Sequence, residues 1–175
     1  PKNLESQIVM DYFVLDMKKK TIKLCDESIG DSFIDSLQDL QDAQITIGKT
    51  KKKSKIITIQ KPEKKPIIIE VDDDNQIIGY ENHELKQVRN NFLYDNRTLV
   101  WLNLPNVIQV GDNFLHDNEV LKSLNVPNLE QIGSGFLFQN KGLESFDAPK
   151  LKVVGYGFFL KNEVLRSLNV PNLEQ

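Results

Sequence analysis

From Phe92 to the end of the chain one 22-residue unit recurs without a break. No other feature restricts the fold so strongly, because a fixed period of this length admits only architectures that stack one small unit on the next. Phe92, Phe114, Phe136 and Phe158 share one column, and Asn96, Asn118, Asn140 and Asn162 share another. The same interval relates Leu99, Leu121, Leu143 and Leu165; Leu102, Leu124, Phe146 and Leu168; and Pro105, Pro127, Pro149 and Pro171. Val107, Leu129, Leu151 and Leu173 keep the same step, as do Gly111, Gly133 and Gly155.

Within each unit the pattern L-x-x-L-x-L, as in Leu99, Leu102 and Leu104, predicts a short strand with its alternate apolar side chains turned inward. The following proline removes a backbone donor and ends the strand. Glycine is expected to take a positive φ in the next turn, and the Phe-Leu pair to wedge the outer side of the coil. One coil cannot bury its own apolar edge. Stacked coils align their strands as a parallel sheet and merge their apolar columns into one core. The asparagines recur in phase with core residues, so their expected role is to satisfy backbone groups in the turns as an internal ladder, with no ligand involved.

Residues 121–137, L-K-S-L-N-V-P-N-L-E-Q-I-G-S-G-F-L, resemble the BspA-like class of leucine-rich repeats, whose unit also carries proline and Ile-Gly in phase. Phe-Leu stands here where that class has Ala-Phe, and asparagine where it often has cysteine. The resemblance covers about residues 77–175. It implies bacterial or protist proteins used in surface adhesion, host interaction or protein binding, with no catalytic residue.

In such a solenoid the default binding surface is the concave sheet face, where side chains flanking the inward strand leucines point outward. The period places Trp101 and Asn103, Ser123 and Asn125, Ser145 and Asp147, and Ser167 and Asn169 there as candidate partner-binding residues. Val100, Lys122, Glu144 and Arg166 fall beside them, at the rim. Trp101 is the chain's only tryptophan. It suits an interface hot spot or packing against the N-terminal segment, and the sequence leaves both readings open.

Upstream, the period fades. Ile77, Tyr80, Leu85 and Val88 lie 22 residues before Leu99, Leu102, Val107 and Val110 and predict a degenerate first coil over 76–91. Residues 1–75 read as a small α+β, β-rich N-terminal domain or cap, and 76–175 as the leucine-rich-repeat solenoid with a parallel sheet on its concave face. Alternation in Gln7–Asp16 and Thr21–Cys25 across Met17–Lys20 predicts a hairpin. Asp31–Leu40 predicts a short amphipathic helix with Asp31 or Ser32 as its N-cap. Three further strands are expected near Ile45–Ile47, Lys55–Gln60 and Pro66–Val71.

Composition narrows the function classes. The net charge is −3. Residues 1–75 balance 13 basic against 14 acidic side chains, and the lysines from Lys49 to Lys65 lack interleaved aromatics, so no nucleic-acid partner is expected. No run reaches the roughly 18 apolar residues of a membrane span, so no membrane insertion is expected. Cys25 is the only cysteine, which rules out an intrachain disulfide. The Asp72–Asn75 turn lacks the glycine and distal glutamate of a calcium loop, and His83 and His116 sit in no metal or nucleophile motif. The expectation is therefore a non-enzyme without cofactor or metal, whose partner is another protein.

Two alternatives accompany that reading: an adhesin fragment, and an assembly module in which repeat ends or N-terminal strands pair between chains. The chain starts at Pro1, consistent with a removed signal peptide or a fragment, so both a cytoplasmic and a secreted location stay open. It stops in mid-repeat at Gln175. That break predicts a longer array and makes the uncapped repeat end a candidate for self-association.

Overall fold

The structure is a computed structural model that describes residues 7–9, 13–16, 19, 21–24, 37, 40, 42–51 and 53–174. The repeat folds as a β-solenoid with one short strand of each coil in each of two parallel ladders. On the first side lie β7 (Ile77–Glu81), β9 (Trp101–Asn103), β11 (Ser123–Asn125), β13 (Ser145–Asp147) and β15 (Ser167–Asn169). On the second lie β8 (Gln87–Val88), β10 (Gln109–Val110), β12 (Gln131–Ile132) and β14 (Val153–Val154), which form an unbroken four-stranded sheet. Every parallel pair keeps the 22-residue offset: Leu102 faces Leu124, Val110 faces Ile132, and Phe146 faces Leu168. The degenerate first coil obeys it too, with Tyr80 opposite Leu102 and Val88 opposite Val110.

The third side of each coil has no strand, and its backbone is unusual. In each coil three residues spaced two apart take the left-handed conformation: Asn91, Leu93 and Asp95; Asn113, Leu115 and Asp117; Gly135, Leu137 and Gln139; Gly157, Phe159 and Lys161. Left-handed φ costs a non-glycine residue about 1–2 kcal/mol, so neighbouring coils must hold it in place. They do so with backbone bonds in both directions: Asn91 N–H donates to Asp112 C=O at 2.8 Å, and Leu115 N–H donates to Phe92 C=O at 3.0 Å.

This geometry corrects the expected place of the Phe-Leu pair. A left-handed Leu breaks the alternation of an extended chain, so both members of the pair turn inward and neither wedges the outer side. Phe92, Phe114 and Phe136 are fully buried, as are Leu93, Leu115 and Leu137. The three phenylalanine rings stack with centroids 5.5 Å apart.

The glycine expectation is also corrected, because Gly111, Gly133 and Gly155 do not take positive φ. Their role is close approach. A Cβ on Gly133 would lie 2.6 Å from the Asp112 nitrogen, and one on Gly155 would lie 2.4 Å from the Gly133 carbonyl carbon. Arg89 holds the same column in the first coil, and among the described residues β8 has no strand on its other side for a side chain to strike.

At its N-terminal end the first-side sheet continues as a meander. β4 (Gln44–Lys49), β5 (Lys55–Gln60) and β6 (Ile67–Val71) run antiparallel, and β6 pairs with β7. The result is one six-stranded sheet in the order β11-β9-β7-β6-β5-β4. It crosses positions 75–76, where the repeat begins, without a break. The inward side chains Ile57, Ile59, Ile67 and Ile69 join Tyr80, Leu102 and the phenylalanine column in one core, which also takes in Leu37, Leu40 and Ala43. The three expected strands are thus present.

Gln7–Asp16, expected as one strand, is two: β1 (Gln7–Val9) pairs antiparallel with β2 (Phe13–Asp16), which pairs with β3 (Thr21–Leu24) across the expected Met17–Lys20 turn. There is no helix among the described residues. The helix expected over Asp31–Leu40 lies outside them except for Leu37 and Leu40, both buried.

Candidate functional site

The Asn96 column shows what a structural asparagine does here. Asn96, Asn118 and Asn140 are fully buried. Asn96 Oδ1 accepts from Thr98 N–H at 3.1 Å and Leu99 N–H at 3.0 Å, and Asn140 Nδ2 donates to Asn118 C=O at 2.6 Å. Asn118 Nδ2 donates to Leu93 C=O at 2.8 Å. Such side chains close backbone valences within and between coils, with Asn96 Nδ2 and Asn118 Oδ1 left without a partner among the described residues, and their full burial keeps them from a ligand.

The outward face of the first-side sheet is different in kind. Because Leu102, Leu124, Phe146 and Leu168 point inward, their neighbours point outward, as the period predicts. Ser123, Asn125, Ser145, Asp147, Ser167 and Asn169 are exposed, while Trp101 and Asn103 are half-buried. Amides link along the face, with Asn125 Nδ2 donating to Asn103 Oδ1 at 2.7 Å, and Asn103 Nδ2 to Glu81 Oε2 at 2.9 Å. Further along, Asn169 Nδ2 donates to Asp147 Oδ1 at 2.7 Å.

The chain of amides breaks between Asn125 and Asp147. A carboxylate has no proton to offer the Asn125 carbonyl, so the amide-to-amide link cannot continue there. The backbone ladder stops at the same place: β11 ends the six-stranded sheet and β13 pairs only with β15. The fourth coil also differs inside, where Phe146 and Ala148 replace the Leu124 and Val126 of the coil before. Gly142 brings this coil so close to its neighbour that a Cβ would lie 2.6 Å from the Leu121 carbonyl oxygen.

Trp101 anchors the N-terminal end of the face. Its ring lies across Gly79, where a Cβ would overlap it, and its Nε1 donates to Glu70 Oε2 at 2.7 Å. Glu70 Oε1 in turn accepts from Ser54 Oγ at 2.6 Å. Trp101 therefore packs on the meander and still forms part of the outward face. Glu81 accepts from Asn103 and, at 2.7 Å, from His83 Nε2. Burial pushes the Glu81 carboxyl up, but these hydrogen bonds and the charges of His83 and Lys65 outweigh it, leaving the group below its ordinary value. The rim residues Val100, Lys122, Glu144 and Arg166 are exposed.

Gly79 and Glu81 were legible in the sequence, since they stand 22 residues before Trp101 and Asn103. Glu70 was not, because only the β6–β7 pairing brings it to Trp101. Away from this face, His116 is half-buried on the third side, stacked between Tyr94 at 4.8 Å and Phe138 at 4.6 Å. Among the described residues no group of three or more His, Cys, Asp and Glu side chains could hold a metal ion, and no helix could cross a membrane.

Fold and face together define a β-solenoid that presents an ordered polar sheet surface. Compared with known protein families, curated proteins and solved structures, the chain matches none.

Proposed function

We propose that this chain is a non-catalytic protein-binding scaffold of the leucine-rich, BspA-like kind, which engages another protein through the concave face of its first-side sheet. One observation carries the reading. From Ser123 to Asn169 the outward strand positions are polar and exposed, while Asn96, Asn118 and Asn140 on the inside of the coils are fully buried and bond backbone groups. Hydrogen-bonded strands that repeat a small polar pair from Ser123 onward, about 4.7–4.9 Å apart within each sheet, with a tryptophan at one end, offer a large pre-ordered surface. Pre-ordering lowers the entropic cost of binding. In this account the meander and the buried Leu37, Leu40 and Ala43 serve as the cap that covers the first coil.

The test is a displayed random-peptide library selected on the full chain, with each selected peptide measured against three variants. Asn125→Arg and Ser145→Arg place a bulky charge on the face without touching a backbone bond. Gln109→Arg does the same on the second-side sheet. The expected result is at least about a tenfold loss of affinity, roughly 1.4 kcal/mol, for the two face variants and none for Gln109→Arg. Peptides that bind all three variants equally would contradict the proposal.

A further inference from the structure

β4 is the outer edge of the six-stranded sheet, and among the described residues nothing bonds to its open side. Five of its six residues are exposed, and Ile47 is 42% exposed. The direction of each backbone group follows from the pairing with β5. Thr50 N–H donates to Ser54 C=O at 2.9 Å, continuing a ladder in which Gln44 faces Gln60 and Gly48 faces Ile56. Bonded and non-bonded residues alternate along an antiparallel pair. Gln44, Thr46 and Gly48 therefore bond β5, while Ile45, Ile47 and Lys49 direct their N–H and C=O groups to the open edge. A free edge of this kind is a template for another strand.

We propose that β4 is the seam of a homodimer, pairing antiparallel with β4 of a second copy about a twofold axis at Thr46. In that register each copy's Ile45 and Ile47 exchange both backbone bonds with the second copy's Ile47 and Ile45. The same isoleucines meet on the inward face of the sheet and extend its row of Ile57 and Ile69. Charge agrees: the exposed Asp42 of one copy falls opposite Thr50 of the other, between its exposed Lys49 and Lys51. The alternatives are poorer. Parallel in-register pairing would set Lys49 beside the second copy's Lys49, and an axis at Ile47 would set Lys49 against Ile45. A seam of six residues a side is smaller than the interfaces of about 1,200–2,000 Å² that give stable complexes, so the dimer is weak and forms with rising concentration.

Sedimentation of the full chain between about 10 µM and about 1 mM, the span of weak association, is combined with amide exchange at the low and high ends. A monomer–dimer equilibrium is expected. The Thr46 and Gly48 amides should be protected throughout, and those of Ile45 and Ile47 only at high concentration. Ile47→Pro removes an outward N–H and no bond to β5, which an edge strand tolerates. It should abolish the dimer and leave the exchange of Thr46 and Gly48 unchanged. A monomer at every concentration overturns the proposal, as does a dimer that survives Ile47→Pro. Protection of Ile45 and Ile47 in the dilute monomer overturns it as well, since the edge would then be covered by the chain itself.

Discussion

Replacing Asn140 by alanine removes three backbone partners at a fully buried position. Its Oδ1 accepts from Gly142 N–H at 3.2 Å and Leu143 N–H at 3.0 Å, and its Nδ2 donates to Asn118 C=O at 2.6 Å. Each orphaned group costs about 1–3 kcal/mol. At the lower figure for every group, the loss is about 3 kcal/mol, a large share of the ~5–15 kcal/mol that holds a domain folded. Two asparagines of the same repeat serve as internal standards. Asn128 is half-buried and donates once, to Pro105 C=O at 2.7 Å, so Asn128→Ala should cost about 1 kcal/mol. Asn125 is exposed on the candidate face, and Asn125→Ala should cost less than about 0.5 kcal/mol. Equilibrium urea unfolding, followed by far-ultraviolet circular dichroism and by emission of the single tryptophan, measures all three. If Asn140→Ala falls within about 1 kcal/mol of the parent, or Asn125→Ala costs as much, the division into structural and presented asparagines is wrong.

Glycine substitutions separate contact from conformation: Gly133→Ala drives a Cβ into the Asp112 backbone and should cost about 1–3 kcal/mol. Gly48→Ala meets nothing within 4 Å and should be neutral or stabilising by up to about 1 kcal/mol in the same denaturation assay. In the fourth coil, Phe146→Leu leaves space and Ala148→Val overfills it, each costing about 1–3 kcal/mol. The double variant should cost clearly less than the sum, and simple additivity in a double-mutant cycle would refute the compensation. The Glu81 carboxyl, lowered by the Asn103 and His83 hydrogen bonds against the upward pull of burial, stabilises the fold above the ordinary value of 4.5. That contribution fades as pH falls through the lower folded value. The stability gap between the parent and Glu81→Gln should therefore shrink below pH 4.5, and a gap that widens on acidification would refute the assignment.

The parallel ladders were legible because one column of residues fixes each pairing, and even the faded coil kept Tyr80 and Val88 in step with Leu102 and Val110. The outward positions followed from the same period. The left-handed rows were not legible, since nothing in a leucine such as Leu93 marks it for a φ of 49°. That conformation is imposed by bonds from neighbouring coils, which is also why glycine appeared suited to the turn when its work is to let backbones touch. The link from Trp101 to Glu70 depends on a strand pairing with no repeat to announce it. Gln7–Asp16 reads as one strand by alternation alone, because apolar residues stand in both β1 and β2.

In the proposed function the first-side face meets the partner and the inner ladder does not. Nitrogen–proton NMR of the ¹⁵N-labelled chain, titrated with a library-selected peptide, tests it directly. The Trp101 indole N–H and the side-chain amides of Asn125 and Asn169 should shift together and saturate, while those of Asn96, Asn118 and Asn140 stay in place. Saturable binding that leaves the indole and the face amides unmoved would contradict the account.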